Sequence, residues 1–108
     1  MKINVRENIP YRDEGMGRRK LVDEKHLLVM QIALKPGQGV PQHDANSNVH
    51  LFVVEGNLLV SLNDSDNEIS EGDLLPVDFR TSMVIKNNGN KNASFLVIKT
   101  PNPSEMRQ

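Results

Sequence analysis

The sequence predicts one all-β domain, a sandwich or a barrel, on three observations. Glycine, asparagine and aspartate break the chain at short intervals. Between the breaks lie runs rich in Val, Ile, Leu and Phe, each about the length of a typical strand. No segment repeats its apolar residues at a helical period. A chain of 108 residues with 37% hydrophobic content supports a single core, so one domain over residues 1–108 is expected.

The elements follow in order. Residues 1–25 are expected to form an N-terminal arm and an edge strand, with Ile9-Pro10-Tyr11-Arg12-Asp13-Glu14-Gly15 as the arm proper. The barrel is expected over residues 26–99, with strands at 26–34, 49–54, 58–62, 74–77, 83–86 and 94–99. Its breaks are Lys35-Pro36-Gly37-Gln38-Gly39, Glu55-Gly56-Asn57, Asn63-Asp64-Ser65-Asp66-Asn67, Glu71-Gly72-Asp73 and Asn87-Asn88-Gly89-Asn90. Residues 100–108 read as a polar tail.

Several strands are apolar on both faces. In the run at 49–54, Val49, Leu51 and Val53 fall on one side, and His50, Phe52 and Val54 on the other. A lone barrel strand should alternate apolar-in with polar-out. The outer face therefore needs cover from the N-terminal arm, a second sheet or another subunit, and a homodimer is the expected source.

Charge and composition remove several function classes. A formal net charge of -1 gives no reason to expect nucleic acid or an anionic membrane as partner. The basic run Arg18-Arg19-Lys20 is followed by Asp23 and Glu24 and reads as a self-compensated surface patch. With no cysteine, disulfides, thiolate metal sites and cysteine nucleophiles are excluded. The N-terminus lacks the apolar run of a signal peptide, and no stretch approaches the ~20 apolar residues of a membrane span, so a cytoplasmic protein is expected. Asp64-Ser65-Asp66-Asn67-Glu68 begins like a calcium loop but has Ile69 where such a loop needs glycine, and reads as a solvated turn. His26 is expected to be exposed.

Two segments carry a resemblance. Lys35-Pro36-Gly37-Gln38-Gly39-Val40-Pro41-Gln42-His43, continued by residues 49–57, resembles the first motif of the cupin superfamily: Gly, five residues, His, one residue, His, three or four residues, Glu, six residues, Gly. Glu71-Gly72-Asp73-Leu74-Leu75-Pro76, continued to Asn87, resembles the second: Gly, five residues, Pro, one residue, Gly, two residues, His, three residues, Asn. The likeness covers about residues 29–99 and implies a cupin-type double-stranded β-helix, or jelly-roll, barrel.

In metal-binding cupins three His and one Glu from these motifs converge inside the barrel on a divalent transition metal. Here only His43 is kept. Ala45 stands at the second His position, Val49 at the Glu and Met83 at the last His, with Asp78 for Pro and Arg80 for Gly. The usual metal site is therefore not expected, and no cofactor is assigned. If a one-residue bulge turned His50 inward, His43, His50 and Met83 would make a soft site suited to copper(I) rather than manganese or iron. Otherwise His50 is a half-buried outer-face or interface residue, and Met83 fills the core.

A pocket can outlive its metal. By analogy His43, Asn46, Ser47, Asn48, Arg80, Thr81, Ser82 and Met83 lie near the barrel mouth, around an apolar interior. Of these, His43, Asn46, Asn48, Arg80 and Met83 are the candidate ligand-binding residues, with Arg80 able to grip a ligand carboxylate or merely to answer Asp78 at the surface. The expectation is a barrel that binds a small organic molecule. The alternatives are a metal-dependent enzyme at His43, His50 and Met83, and a dimeric structural or partner-binding module. Catalytic residues are not assigned.

Overall fold

The computed structural model describes residues 1–106, and among these nine strands form two antiparallel sheets. The strands are β1 (Gly17–Glu24), β2 (Leu27–Leu34), β3 (Gly39–Asp44), β4 (Asn48–Glu55), β5 (Asn57–Leu62), β6 (Ser65–Ser70), β7 (Leu74–Val77), β8 (Ser82–Lys86) and β9 (Ala93–Thr100). One sheet has the order β1-β2-β9-β4-β7 and the other β3-β8-β5-β6. Facing sheets with sequence-distant strands as neighbours are the double-stranded β-helix expected above. A short 3-10 turn, Pro103–Glu105, follows β9, capped by the Asn102 side chain. Part of the expected tail is thus ordered, and positions 107 and 108 lie outside the described residues.

All six expected strands are present, within a residue or so at each end. Three further strands are present. β1 is the edge strand expected beside the N-terminal arm, and β3 runs through the first motif segment, where no strand is predicted. The third, β6, replaces most of the turn expected at residues 63–67. Asn63 and Asp64, both at positive φ (47° and 68°), make the whole turn as a two-residue hairpin. Ser65 pairs with Leu62 immediately after it.

Cross-strand partners share a face, so the registers sort the five-stranded sheet. Its inner face carries Leu28, Met30 and Ile32 of β2, opposite Lys99, Val97 and Phe95 of β9, opposite Val49, Leu51 and Val53 of β4. From the second sheet come Leu58, Val60, Met83 and Ile85, which pack with Ile32, Val49, Leu51, Val53 and Phe95 to make the core. Gly56 sets the β4–β5 corner at φ 79°, where a Cβ would stand 2.4 Å from the Asn92 carbonyl oxygen.

The outer face divides into two halves. Over one half lies the N-terminal arm, pinned through Gln31. The Gln31 Nε2 group donates to Val5 O (2.7 Å) and to Ser94 Oγ (2.8 Å), and its Oε1 accepts from Arg19 Nε (2.9 Å). Arg19 also donates to Asn8 O and Glu7 O, and Tyr11 Oη donates to Glu55. The arm passes so close over Gly17 that a Cβ there would collide with Pro10 O. On the other half Phe52, Leu96, Ile98 and Val29 are half-buried, and Leu74 is 56% exposed. The arm therefore covers part of the apolar outer face.

Candidate functional site

Between the sheets lies a cavity of about 470 Å³, open at one end. From the five-stranded sheet it is lined by Leu28, Met30, Ile32, Val49, Leu51 and Phe95, with Val97, Lys99 and Arg18. From the other side come Val40, Gln42, His43, Ala45, Asn46 and Met83. The size and the apolar walls suit a small-molecule site.

His43 owes its place to a bulge. β3 and β8 pair Val40 with Ile85 and next His43 with Met83, so β3 carries one extra residue between them. That extra residue puts His43 on the cavity face with Val40, at the rim. Its Nδ1 lies 2.9 Å from Pro41 O, a carbonyl that can only accept, so Nδ1 is the donor in that contact. Met83 beside it is 3% exposed.

His50 has no such help. β4 runs in unbroken register against β7, with Val49 opposite Val77, His50 opposite Pro76 and Leu51 opposite Leu75. Since Val49 and Leu51 line the cavity, His50 points to the outer face, beside Ile98. The structure therefore does not bring His43, His50 and Met83 together. Among the described residues no group of three or more His, Asp and Glu side chains is placed to hold a metal. The cavity offers one imidazole and three thioethers (Met16, Met30, Met83), and Ala45 and Val49 have no donor atom. That set does not fit the hard divalent ion of the cupin pattern.

The other expected ligand residues divide. Asn46 lines the cavity and its Oδ1 accepts from Lys99 Nζ at 2.8 Å. Asn48 is exposed and donates to Thr100 O at the edge of β4. Ser47 is buried and donates to Pro101 O, which ties the loop before β4 to the chain after β9. Arg80 stands outside the cavity, with its guanidinium 4.9 Å from the centre of the Phe79 ring. Its φ of 72° is the left-handed conformation that explains why the motif has glycine there. Asn87, kept from the second motif, is structural: its buried Nδ2 donates to Leu34 O and Lys91 O.

Two charged cavity residues lie outside the sequence expectation, Lys99 and Arg18. Lys99 lies on the inner face of β9 between Leu28 and Val49, and burial pulls its ammonium below the usual lysine range. Arg18 lies on the inner face of β1 opposite Ile32. Neither forms an ion pair among the described residues, and no Asp or Glu lines the cavity. Period-two alternation of 94–99 from Phe95 would have put Lys99 inside; Arg18 was hidden in a basic run that reads as surface.

Comparison with known proteins agrees with this fold. No family model matches the chain. An uncharacterized protein of Methanocaldococcus jannaschii is 33% identical over 88 residues, 81% of this chain and 76% of that protein. Its crystal structure, of an RmlC-like cupin family protein with a double-stranded β-helix fold, matches with a TM-score of 0.79 at 32% identity, over 88% of this chain and 89% of that one. The chain belongs to this cupin family. An uncharacterized Klebsiella pneumoniae protein with a double-stranded β-helix domain is similar to this cupin in fold, with a TM-score of 0.85 at 16% identity over 94% and 90% of the two chains. A Thermus thermophilus protein gives 0.83 at 20% identity over 94% and 98%. Both likenesses concern fold alone.

Proposed function

We propose that this cupin binds a small organic molecule in the barrel cavity, without the metal that the family motif would hold there. The observation that carries the reading is the replacement of ligand positions by Ala45, Val49 and Met83 on the wall of a cavity that is still open and apolar. Binding there draws on burial of the ligand's apolar surface, about 25 cal/mol per Å². The test is a thermal-shift screen of small organic molecules on chelator-dialysed protein. Saturable stabilisation that persists in chelator and vanishes in Val49→Phe, which fills the cavity, is the expected result. A transition metal retained at one per chain, lost in His43→Ala and required for binding, would overturn the reading in favour of a metal-dependent enzyme.

A dimer is the second part of the proposal, supported by the uncovered half of the outer face. Leu74, Phe52, Leu96 and Ile98 form an apolar patch that a two-fold copy of the same patch would cover. Light scattering should give twice the chain mass, and Phe52→Asp should return it to one; wild-type protein at one chain mass would sink this part.

A further inference from the structure

The cavity is one-sided in charge. The chain has 14 acidic residues and 13 Lys and Arg, yet among the described residues the cavity lining holds Lys99 and Arg18 and no acid. A half-buried ammonium usually finds a carboxylate, because desolvation of an unpaired charge is expensive. Among the described residues Lys99 finds only the Asn46 side-chain oxygen, which takes one of its three hydrogens. The same bond fixes the Asn46 amide, with Oδ1 toward Lys99 and Nδ2 left as a donor that serves no other described residue. Lys99 is also the cross-strand neighbour of Val49, the position where the family motif has its carboxylate ligand. A fixed positive charge therefore stands beside the place where the motif would set a metal ion.

We propose that the ligand is a monocarboxylic acid with an apolar body, its carboxylate received by Lys99 Nζ and Asn46 Nδ2 and its body by the aliphatic and thioether interior. This rests on the ligand-binding reading above and narrows it to a chemical class. The ammonium supplies the charge that a metal would bring, and Met30, Met83 and Leu51 supply adaptable apolar walls. Arg18, on the far edge strand of the same sheet, adds to the positive field that draws an anion to the open end. Asn46 acts as a positioning residue for Lys99 as well as a donor.

The probes are octanoate and its neutral analogue octanamide, titrated calorimetrically into chelator-dialysed wild type, Lys99→Met, Lys99→Arg and Asn46→Asp. Wild type should bind octanoate at least about tenfold more tightly than octanamide, the usual worth of a charge-assisted hydrogen bond. Lys99→Met should lose that preference and keep octanamide binding, and Lys99→Arg should retain much of it. Asn46→Asp, at an exposed position, should reject octanoate by setting a carboxylate against it while still accepting octanamide. Equal affinity of wild type for the two probes, or undiminished octanoate binding by Lys99→Met, overturns the acid-head assignment and leaves the cavity reading standing. Failure of wild type to bind either probe overturns the monocarboxylic-acid assignment, and the cavity reading falls with it only if the thermal-shift screen also finds no ligand.

Discussion

Gln31 and Lys99 belong to the same five-stranded sheet, one on its outer face and one on its inner face, and both put polar atoms among aliphatic neighbours. Gln31 is 0% exposed and wholly satisfied: its oxygen accepts from Arg19, and its amide hydrogens go to Val5 O and Ser94 Oγ. Among the described residues Lys99 has one bond, to Asn46, and otherwise faces the cavity. A buried polar group whose bonds all close within the chain belongs to the architecture. One whose bonds stay open toward a cavity is available to something else. The difference separates the arm side of the barrel, which is finished, from the cavity side, which awaits a partner.

The largest effect is expected on the finished side. Gln31→Ala leaves Val5 O, Ser94 Oγ and Arg19 Nε without their partners beneath the arm, which should lower stability by about 2–4 kcal/mol in chemical denaturation. Hydrogen exchange should rise over residues 1–15 as the arm comes free, while octanoate binding by the folded fraction stays as in wild type. A loss below about 1 kcal/mol together with weakened octanoate binding would reverse the roles given to the two faces.

Lys99 is expected to have a smaller effect of opposite sign. Burial lowers its folded pKa below that of the unfolded chain. In the alkaline window between those two values, the unfolded chain holds a proton that the native protein has released. Stability therefore rises with pH through that window, and below it the charged Lys99 detracts from stability. Tyr11 works the other way: burial first, and then Glu55, raise its pKa, so its contribution falls away once pH passes the ordinary tyrosine value of about 10. Subtracting the Lys99→Met curve from the wild-type curve cancels Tyr11. The variant should be equally or slightly more stable at neutral pH, by up to about 1 kcal/mol, and should lack the alkaline rise. A variant clearly less stable at neutral pH would make Lys99 a structural residue like Gln31.

The finished side was largely legible in the sequence and the open side only half so. Turn chemistry is local, and Glu55-Gly56-Asn57 announces a corner because only glycine meets its φ and its closeness to Asn92. Apolar runs such as 49–54 announce strands for the same local reason. β1 and β6 carry few apolar residues, since one edge strand and one hairpin arm keep much of their surface in water. The motif spacing placed His43, Asn46 and Met83 near one another in the sequence pattern, and all three line the cavity. It could not show that the bulge lies in β3 rather than at His50, because a bulge depends on how two strands register. Nor could it join Lys99 of β9 to Asn46 of the β3–β4 loop, which meet only when the barrel closes.

Arg80 gives the finest test of the comparison, because it has a charge but belongs to neither region. It is exposed, held over Phe79, and sits at φ 72°, where a side chain strains the backbone by about 1 kcal/mol. Arg80→Gly relieves that strain but loosens the unfolded chain and gives up the ring contact, so stability should rise by no more than about 0.5 kcal/mol. Its backbone N–H to Ala45 O bond, 2.8 Å in the native chain, survives the change and keeps the cavity wall in place. Octanoate affinity should therefore equal that of wild type, in contrast to Lys99→Met. If Arg80→Gly weakened octanoate but not octanamide, the guanidinium would be the group that meets the acid, and the open side of the barrel would have to be redrawn around the loop before β8.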